Sequence, residues 1–390
     1  MNNSTIDRRR FLQLCAAFPA LSFNPTLLSA GNKRQAILLL VELKGGNDAL
    51  NTLVPYEDDN YYRLRPKIAL KSNSVLKLGN GMGLNSAMKP LLPAWQAGDM
   101  AWIQGIGYPN PNRSHFRSIE IWETGSKSDE YLNDGWVAQM YQTQNLGDKL
   151  QGVTIGSDSG PLDGKAFNSL LIQNKKSFMS LTKHLKAVEE STSNDVLAHV
   201  LSVQNNIKSN AQLVSERLQK VKSMGVKFPK GKFAKQLETT AQIIISGIEA
   251  PVYKVELGSF DTHNNQLNRQ KTLLKQLSQG LNAFSKSMKK AGLWDDVLII
   301  TYSEFGRRAN ENKSAGTDHG TAAAHFALGG RVKGGVHKGM LGITPSLSDL
   351  DNNDLKYTTD FRTYYNTIAS QWMGIQSPWD NYGELPLIET

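Results

Sequence analysis

Cysteine is all but missing: Cys15 is the single one in 390 residues. One thiol excludes a disulfide framework and any metal site built from several thiolates, so an oxidising compartment poses no hazard to this chain. Long apolar runs are scarce as well, and beyond the N-terminal stretch none is long enough to span a membrane. There is no compositional repeat and no extended Gly/Ser linker, so the length reads as one large α/β domain carrying an insert. The densest lysine group is Lys220, Lys222, Lys227, Lys230, Lys232 and Lys235, with Phe228 and Phe233 as its two aromatic residues. So few aromatics favour a solvated helix face and loop over an anion-binding or nucleic-acid patch.

What is present begins with Arg8-Arg9-Arg10-Phe11-Leu12, followed by an apolar stretch from Cys15 to Phe23 and the small residues Ser29-Ala30-Gly31. This is the layout of a twin-arginine signal over residues 1–30, with the mature chain starting near Gly31. Pro19 and Pro25 would break an amphipathic helix there, and Cys15 lies too early for lipid attachment. The expected partner is the twin-arginine export machinery, and the expected location is the periplasm. That route carries folded cargo, which suits a protein loaded with metal before export. The formal charge is +9; the signal holds three arginines and Asp7, so +7 remains on lysines scattered through the mature chain.

Ala36–Leu43 is a continuous apolar run that stops at Gly45-Gly46, as in a strand buried on both faces. Met100–Ile106, Val252–Leu257 and Val297–Tyr302 repeat the pattern. Between the last two, Leu267, Leu274, Leu277, Leu281, Phe284 and Met288 keep helical spacing up to Gly292, which predicts a crossover helix and so a parallel sheet. Ser114–Trp122 is a shorter helix. Residues 176–248 follow a helical pattern, with Val196, Val200, Ile207, Val214, Leu218 and Val221 as a stripe, and read as a helical insert. His184 and His199 within it lack ligand-spaced partners and are expected at the surface or in packing.

Four polar motifs stand where apolar runs end: Gly45-Gly46-Asn47-Asp48, Phe260-Asp261-Thr262-His263, Tyr302-Ser303-Glu304-Phe305-Gly306 and Gly316-Thr317-Asp318-His319-Gly320. Loops at the carboxyl ends of parallel strands converge on one crevice, so the chain reads first as a metallohydrolase scaffold. Asp261 and His263, two apart in extended chain, face one way and can grip a single ion. In Asp318-His319, one side chain binds while the other orients it. Glu304 ends a buried strand and needs a cation, supplied either by Arg307 or Arg308, or by a metal or substrate site.

The runs Leu43–Thr52, Tyr61–Pro66, Arg113-Ser114-His115-Phe116, Asp134-Gly135-Trp136, Phe260–His263, Ser303–Arg308 and Gly316–Thr321 together resemble a bacterial family labelled domain of unknown function 1501. That family is similar to the alkaline phosphatase and sulfatase superfamily. The resemblance implies a three-layer alkaline-phosphatase-like α/β fold, with a mostly parallel central sheet, helices on both faces and a helical insert. It implies Asp48, Asp261, His263 and His319 as metal ligands, with Glu304-Phe305-Gly306 in place of an Asp-His-Gly element. Phe305 cannot ligate, so one divalent ion (zinc, manganese or calcium) or an unequal pair is expected. Ser114 stands where the superfamily keeps its nucleophile, at a helix start whose free N–H groups favour an anion, with His115 as general acid or substrate contact. Thr52 is the rival nucleophile, and a helix cap is the rival role for Ser114. Ser114-His115-Phe116-Arg117-Ser118 lacks the pattern needed for formylglycine. Lys44, Arg113 and Arg307 are placed to hold an oxyanion. The function implied is an exported metal-dependent hydrolase or transferase of phosphate-like or sulfate-like esters, its substrate a small molecule or an envelope ester. The alternative is a non-catalytic, metal-stabilised periplasmic protein of binding or envelope assembly.

Overall fold

β1, Ile37–Leu43, is buried at every position. Successive strand residues face opposite sides, so such a strand has to be covered by other elements on both faces. The computed structural model describes residues 36–144, 147–165, 167–186, 194–221 and 223–389. The expected signal, with Arg8, Arg9 and Cys15, lies outside them, as does the side chain of His199.

The remaining strands are β2 Leu53–Val54, β3 Val75–Gly79, β4 Met82–Asn85, β5 Met100–Gly107, β6 Gly152–Ile155, β7 Ser169–Leu171, β8 Val252–Leu257, β9 Val297–Tyr302, β10 Ala323–Gly329, β11 Met340–Leu341 and β12 Thr359–Asp360. The large sheet runs β11-β5-β10-β9-β1-β8-β6-β7, with β12 also on β5. All its pairings are parallel except those of β10, which runs antiparallel to both β9 and β5. β2, β4 and β3 form a small antiparallel sheet that the sequence reading did not anticipate. β8 and β9 occupy the residues expected for them.

The crossover helix Gln266–Lys290 buries Leu274, Leu277, Leu281, Phe284 and Met288 completely. Each such side chain contributes about 2 kcal/mol relative to exposure. Gly292, at φ +69°, follows the helix end as expected. The first turn departs from the expected stripe, burying Gln266 and Gln270 while Leu267 stays partly exposed. Those two amides hold the 47–52 loop, and that is why polar residues take core positions there.

Between β7 and β8 lie helices Lys175–Thr182, Asp195–Lys220 and Lys232–Ile245. The third buries Phe233, Leu237, Ala241 and Ile244 against the sheet and the crossover helix, so it belongs to a covering layer. The first two pack on one another, with Thr182 and Ser215 hydroxyls 2.9 Å apart. In the 195–220 helix Val214 and Leu218 are buried, whereas Val200 and Ile207 of the expected stripe are exposed. His184 is exposed, as expected. Among the described residues no helix is long and apolar enough to cross a membrane.

Register sets the site. Leu43 lies opposite Leu257, and Glu42 opposite Tyr302, so β1, β8 and β9 release their loops at one rim. β10 runs the other way and starts at that same rim, so the 303–322 connection never leaves it. β5 ends beside the start of β10, with Ile106 opposite Ala323, and feeds helix His115–Thr124 there.

Candidate metal centre

Gly45 and Gly46 adopt φ +112° and +75°, conformations that favour glycine. A Cβ on Gly45 would lie 2.4 Å from the Asp261 nitrogen, and one on Gly46 2.4 Å from the Phe305 ring. These glycines therefore let the loop after β1 lie directly against those after β8 and β9. Arg307, 1% exposed, ties the three together. Its Nε donates to Gly46 O at 2.8 Å, its Nη1 to Thr317 O at 2.9 Å, and its Nη2 to Gly45 O and, at 2.6 Å, to Asp261 Oδ1.

Around Asp261 three imidazoles converge. His263 Nε2 is 3.0 Å and His319 Nε2 3.3 Å from Asp261 Oδ1, while His115 Nε2 is 3.7 Å from Oδ2. Each ring is held from behind through its other nitrogen. His319 Nδ1 donates to the carbonyl of Arg113 at 2.8 Å, His263 Nδ1 faces Asp318 Oδ1 at 3.3 Å, and His115 Nδ1 faces Glu304 Oε1 at 2.8 Å. Those partners are acceptors, so the Nδ1 positions carry the protons and the Nε2 lone pairs point inward. His263 Nε2 and His319 Nε2 stand 3.0 Å apart. Two facing lone pairs repel unless a cation lies between them, whether a proton on one ring or a metal ion. His115, His319 and Asp261 bring two imidazole nitrogens and one carboxylate oxygen within reach of a single ion, with His263 beside Asp261 and His319, and nitrogen and oxygen donors of this kind fit a divalent ion such as zinc.

The supporting charges follow from the same contacts. Burial pushes the Asp261 carboxyl up, but Arg307 outweighs it and holds the group below the usual range. Glu304 is likewise lowered: burial opposes ionisation, and the His115 bond together with the Gly45 N–H at 2.8 Å more than compensates. The Glu304 bond holds His115 above the ordinary imidazole value, whereas burial holds His319 below it. The amide of Asn312 and then His263 keep Asp318 low. Helix His115–Thr124 is fixed in turn by Trp122 stacking on Phe361 at 4.6 Å and by Ser118, whose hydroxyl donates to the Glu304 carbonyl.

Asp261, His263, His319, Asp318, Glu304 and His115 are thus brought together, although Asp318 and Glu304 touch imidazoles rather than the centre itself. Glu304 takes its positive partner from His115 and not from Arg307 or Arg308. Asp48 does not join them. It is 1% exposed and is consumed by Arg65 at 2.5 Å, by Gln266 and by the Leu50 N–H at 3.2 Å, because a carboxylate one loop deeper needs its own cation. Thr52 is buried and donates to the Asp48 carbonyl at 2.7 Å, so it is no nucleophile. Arg307 is spent on backbone carbonyls and Asp261. Lys44 is held by Asp158 and by Glu256 at 3.0 Å, and Arg113 pairs with Asp354 at 3.0 Å. None of the three cations is free for an oxyanion. Ser114 is exposed at the N-terminus of its helix, and its hydroxyl makes no capping bond. Phe305, 2% exposed, packs between the rings of His115 at 4.9 Å and His319 at 4.6 Å, so an apolar wall stands where a second imidazole was in question.

The family model described as "Protein of unknown function (DUF1501)" matches residues 80–368. The chain belongs to the DUF1501 family. No curated protein is significantly similar to it in sequence. Solved structures similar to it include the C-terminal periplasmic domain of EptC from Escherichia coli in complex with zinc, at 8% identity over 89% of this chain and 84% of that one, with a TM-score of 0.43. Another is the soluble domain of lipooligosaccharide phosphoethanolamine transferase A from Neisseria meningitidis, at 11% identity over 88% and 90%, TM-score 0.41. A third is the PsFucS1 sulfatase of Pseudoalteromonas sp., at 9% identity over 90% and 70%, TM-score 0.40.

Beside the centre, this DUF1501 chain carries a charge cluster that sequence reasoning missed. Lys254 is fully buried in β8, 2.9 Å from Glu42 of β1 and 2.6 Å from Asp158, with Glu123 at 3.8 Å. Burial pushes the Glu123 carboxyl up to about 8, with Lys254 opposing. Glu42, Lys44, Glu123 and Asp158 line a cavity of about 260 Å³ together with His115 and Glu304. The available signal was a charge inside each apolar run, Glu42 in ILLLVEL and Lys254 in VYKVEL.

Proposed function

We propose that this protein is a metal-dependent enzyme that hydrolyses or transfers phosphate-like or sulfate-like esters after export by the twin-arginine machinery. The observation that carries the reading is the convergence of three back-braced imidazoles on Asp261. Asp261, His263, His319 and His115 would hold the ion, and a nitrogen-rich set of this kind suits zinc or manganese better than calcium, which prefers oxygen. Bound there, a divalent ion would supply Lewis acidity and neutralise charge on the ester oxygen. Ser114 is the nucleophile: its hydroxyl is exposed, uncommitted to the helix, and flanked by Arg113 and His115, both of which touch the centre. Attack by Oγ on phosphorus or sulfur expels the alcohol, and water or an acceptor hydroxyl then releases the group from Ser114. The free N–H groups of the first helical turn would hold the transferred anion.

Elemental analysis of protein purified without chelator tests the first half, with about one ion per chain expected and none in His263→Ala. Turnover of aryl phosphate and aryl sulfate tests the second. Replacement of Arg8 and Arg9 by Lys is expected to leave the precursor in the cytoplasm, and unchanged periplasmic recovery would refute export by this route. Phe305 favours one other reading, a metal-stabilised protein of binding or envelope assembly without chemistry. Full metal occupancy with no activity on a broad ester panel would select it.

A further inference from the structure

A cavity of about 1000 Å³ opens between helices Lys175–Thr182 and Lys232–Ile245, at the end of β6. Five lysines line it, Lys175, Lys176, Lys183, Lys232 and Lys235, and among the described residues Glu238 is the single acid lining it. The rest of the wall is mostly amides and hydroxyls, and among the described residues no aromatic side chain lines it. Two of the lysines are committed: Lys175 Nζ donates to Gln242 Oε1 at 2.6 Å, and Lys232 lies 3.3 Å from Glu256. Lys176, Lys183 and Lys235 have no ion pair among the described residues. Lysines that sequence spacing assigned to a solvated face therefore meet those of another helix across one groove.

The groove is tied to the histidine centre. Glu256, the partner of Lys232, also binds Lys44 at 3.0 Å, and Lys44 lines the smaller cavity that His115 and Glu304 share. Both openings therefore lie along the carboxyl rim of the sheet. Point charges on flexible stems suit phosphate or sulfate groups, while amides and hydroxyls suit sugar-like hydroxyls. Absence of aromatics removes the stacking platform that single-stranded nucleic acid uses. Ile155 and Met179 are the only apolar side chains among the described lining residues, and the stems of the lysines supply further apolar surface between the charged heads.

We infer that this groove binds an anionic polymer bearing phosphate or sulfate groups on hydroxylated units, and that it presents such a chain to the centre described above. The inference rests on the proposed ester chemistry and specifies its substrate class. Fluorescently labelled dextran sulfate and labelled polyphosphate, titrated into the intact mature protein and followed by anisotropy, test it. Binding that weakens as salt rises is expected, with neutral dextran unbound. Lys176→Glu, Lys183→Glu and Lys235→Glu together are expected to weaken it about tenfold or more, while aryl ester turnover stays at the wild-type level. His263→Ala is expected to abolish turnover and leave polymer binding intact. Equal binding by the triple variant, or capture of phosphatidylglycerol vesicles or single-stranded DNA in preference to both polymers, would overturn the groove assignment without touching the ester reading. Lysine-dependent polymer binding in a protein that turns over no ester would keep the groove and remove the enzyme.

Discussion

At the scale of single residues, similar-looking polar groups have opposite fates, and substitution separates them. Ser114 makes no capping bond, so Ser114→Ala is expected to abolish ester turnover while changing stability by less than about 0.5 kcal/mol. A loss near 1 kcal/mol with turnover intact would make it a cap after all. Asp48 is the reverse case. Asp48→Ala strands the buried Arg65 guanidinium and is expected to cost about 3–5 kcal/mol in urea unfolding, with metal per folded chain unchanged. Metal loss at unaltered stability would return Asp48 to the ligand set. His325 sits in β10, fully buried, with both ring nitrogens unbonded and its ring edge-on to Trp122. Burial pushes its imidazole down to about 3 from 6.5. Above pH 6.5 the ring is neutral in both folded and unfolded chains and contributes nothing to pH dependence. Below that, the unfolded chain takes a proton the fold refuses, and stability falls by about 1.4 kcal/mol per pH unit until about pH 3. His325→Phe is expected to flatten that part of the acid limb in urea titrations between pH 6.5 and 4.5, and a parallel limb would show the imidazole is not its source.

At the scale of elements, legibility followed the apolar period. β9 is a nearly continuous apolar stretch, β8 one broken only by Lys254 and Glu256, and the crossover helix keeps its three-four spacing, so all three are legible in the sequence. The motifs at their ends were readable too, because polar residues that interrupt a buried run have to be used. What was hidden is depth and direction. Asp48 and Asp261 both follow strands, yet one loop turns inward toward Arg65 and the other stays at the rim. Nothing local distinguishes them. The antiparallel course of β10 and the Glu42–Lys254 pairing depend on which strands become neighbours, a property of the whole sheet. The glycine loop after β1 gives this scale its prediction. Gly45→Ala forces a Cβ against the Asp261 backbone at a φ of +112° and is expected to weaken zinc binding about tenfold or more in calorimetric titration. Wild-type affinity would mean the loop is not what fixes Asp261.

At the scale of the whole molecule, an ion held at the proposed centre would be coupled to the fold. Zinc at about one hundred times its dissociation constant is expected to add about 2.7 kcal/mol of stability, seen as a melting temperature that rises with zinc and falls with chelator. A melting temperature indifferent to both would detach metal from folding. The contacts involved are unevenly long. Asp261 and His319 are 58 positions apart, but His115 and Glu304 are 189 apart, and the Arg113 carbonyl reaches His319 across 206. β10 turns back at the rim where β9 ended, so the loop carrying Glu304, Asp318 and His319 closes on itself locally, whereas His115 arrives from the other half of the chain. A polypeptide stopped before residue 319 has Asp261 and His263 but no facing imidazole, and one that has not docked its 115–124 helix lacks the third. Occupancy of the centre is in this sense a certificate of completion, issued only to a chain whose first and last thirds have met.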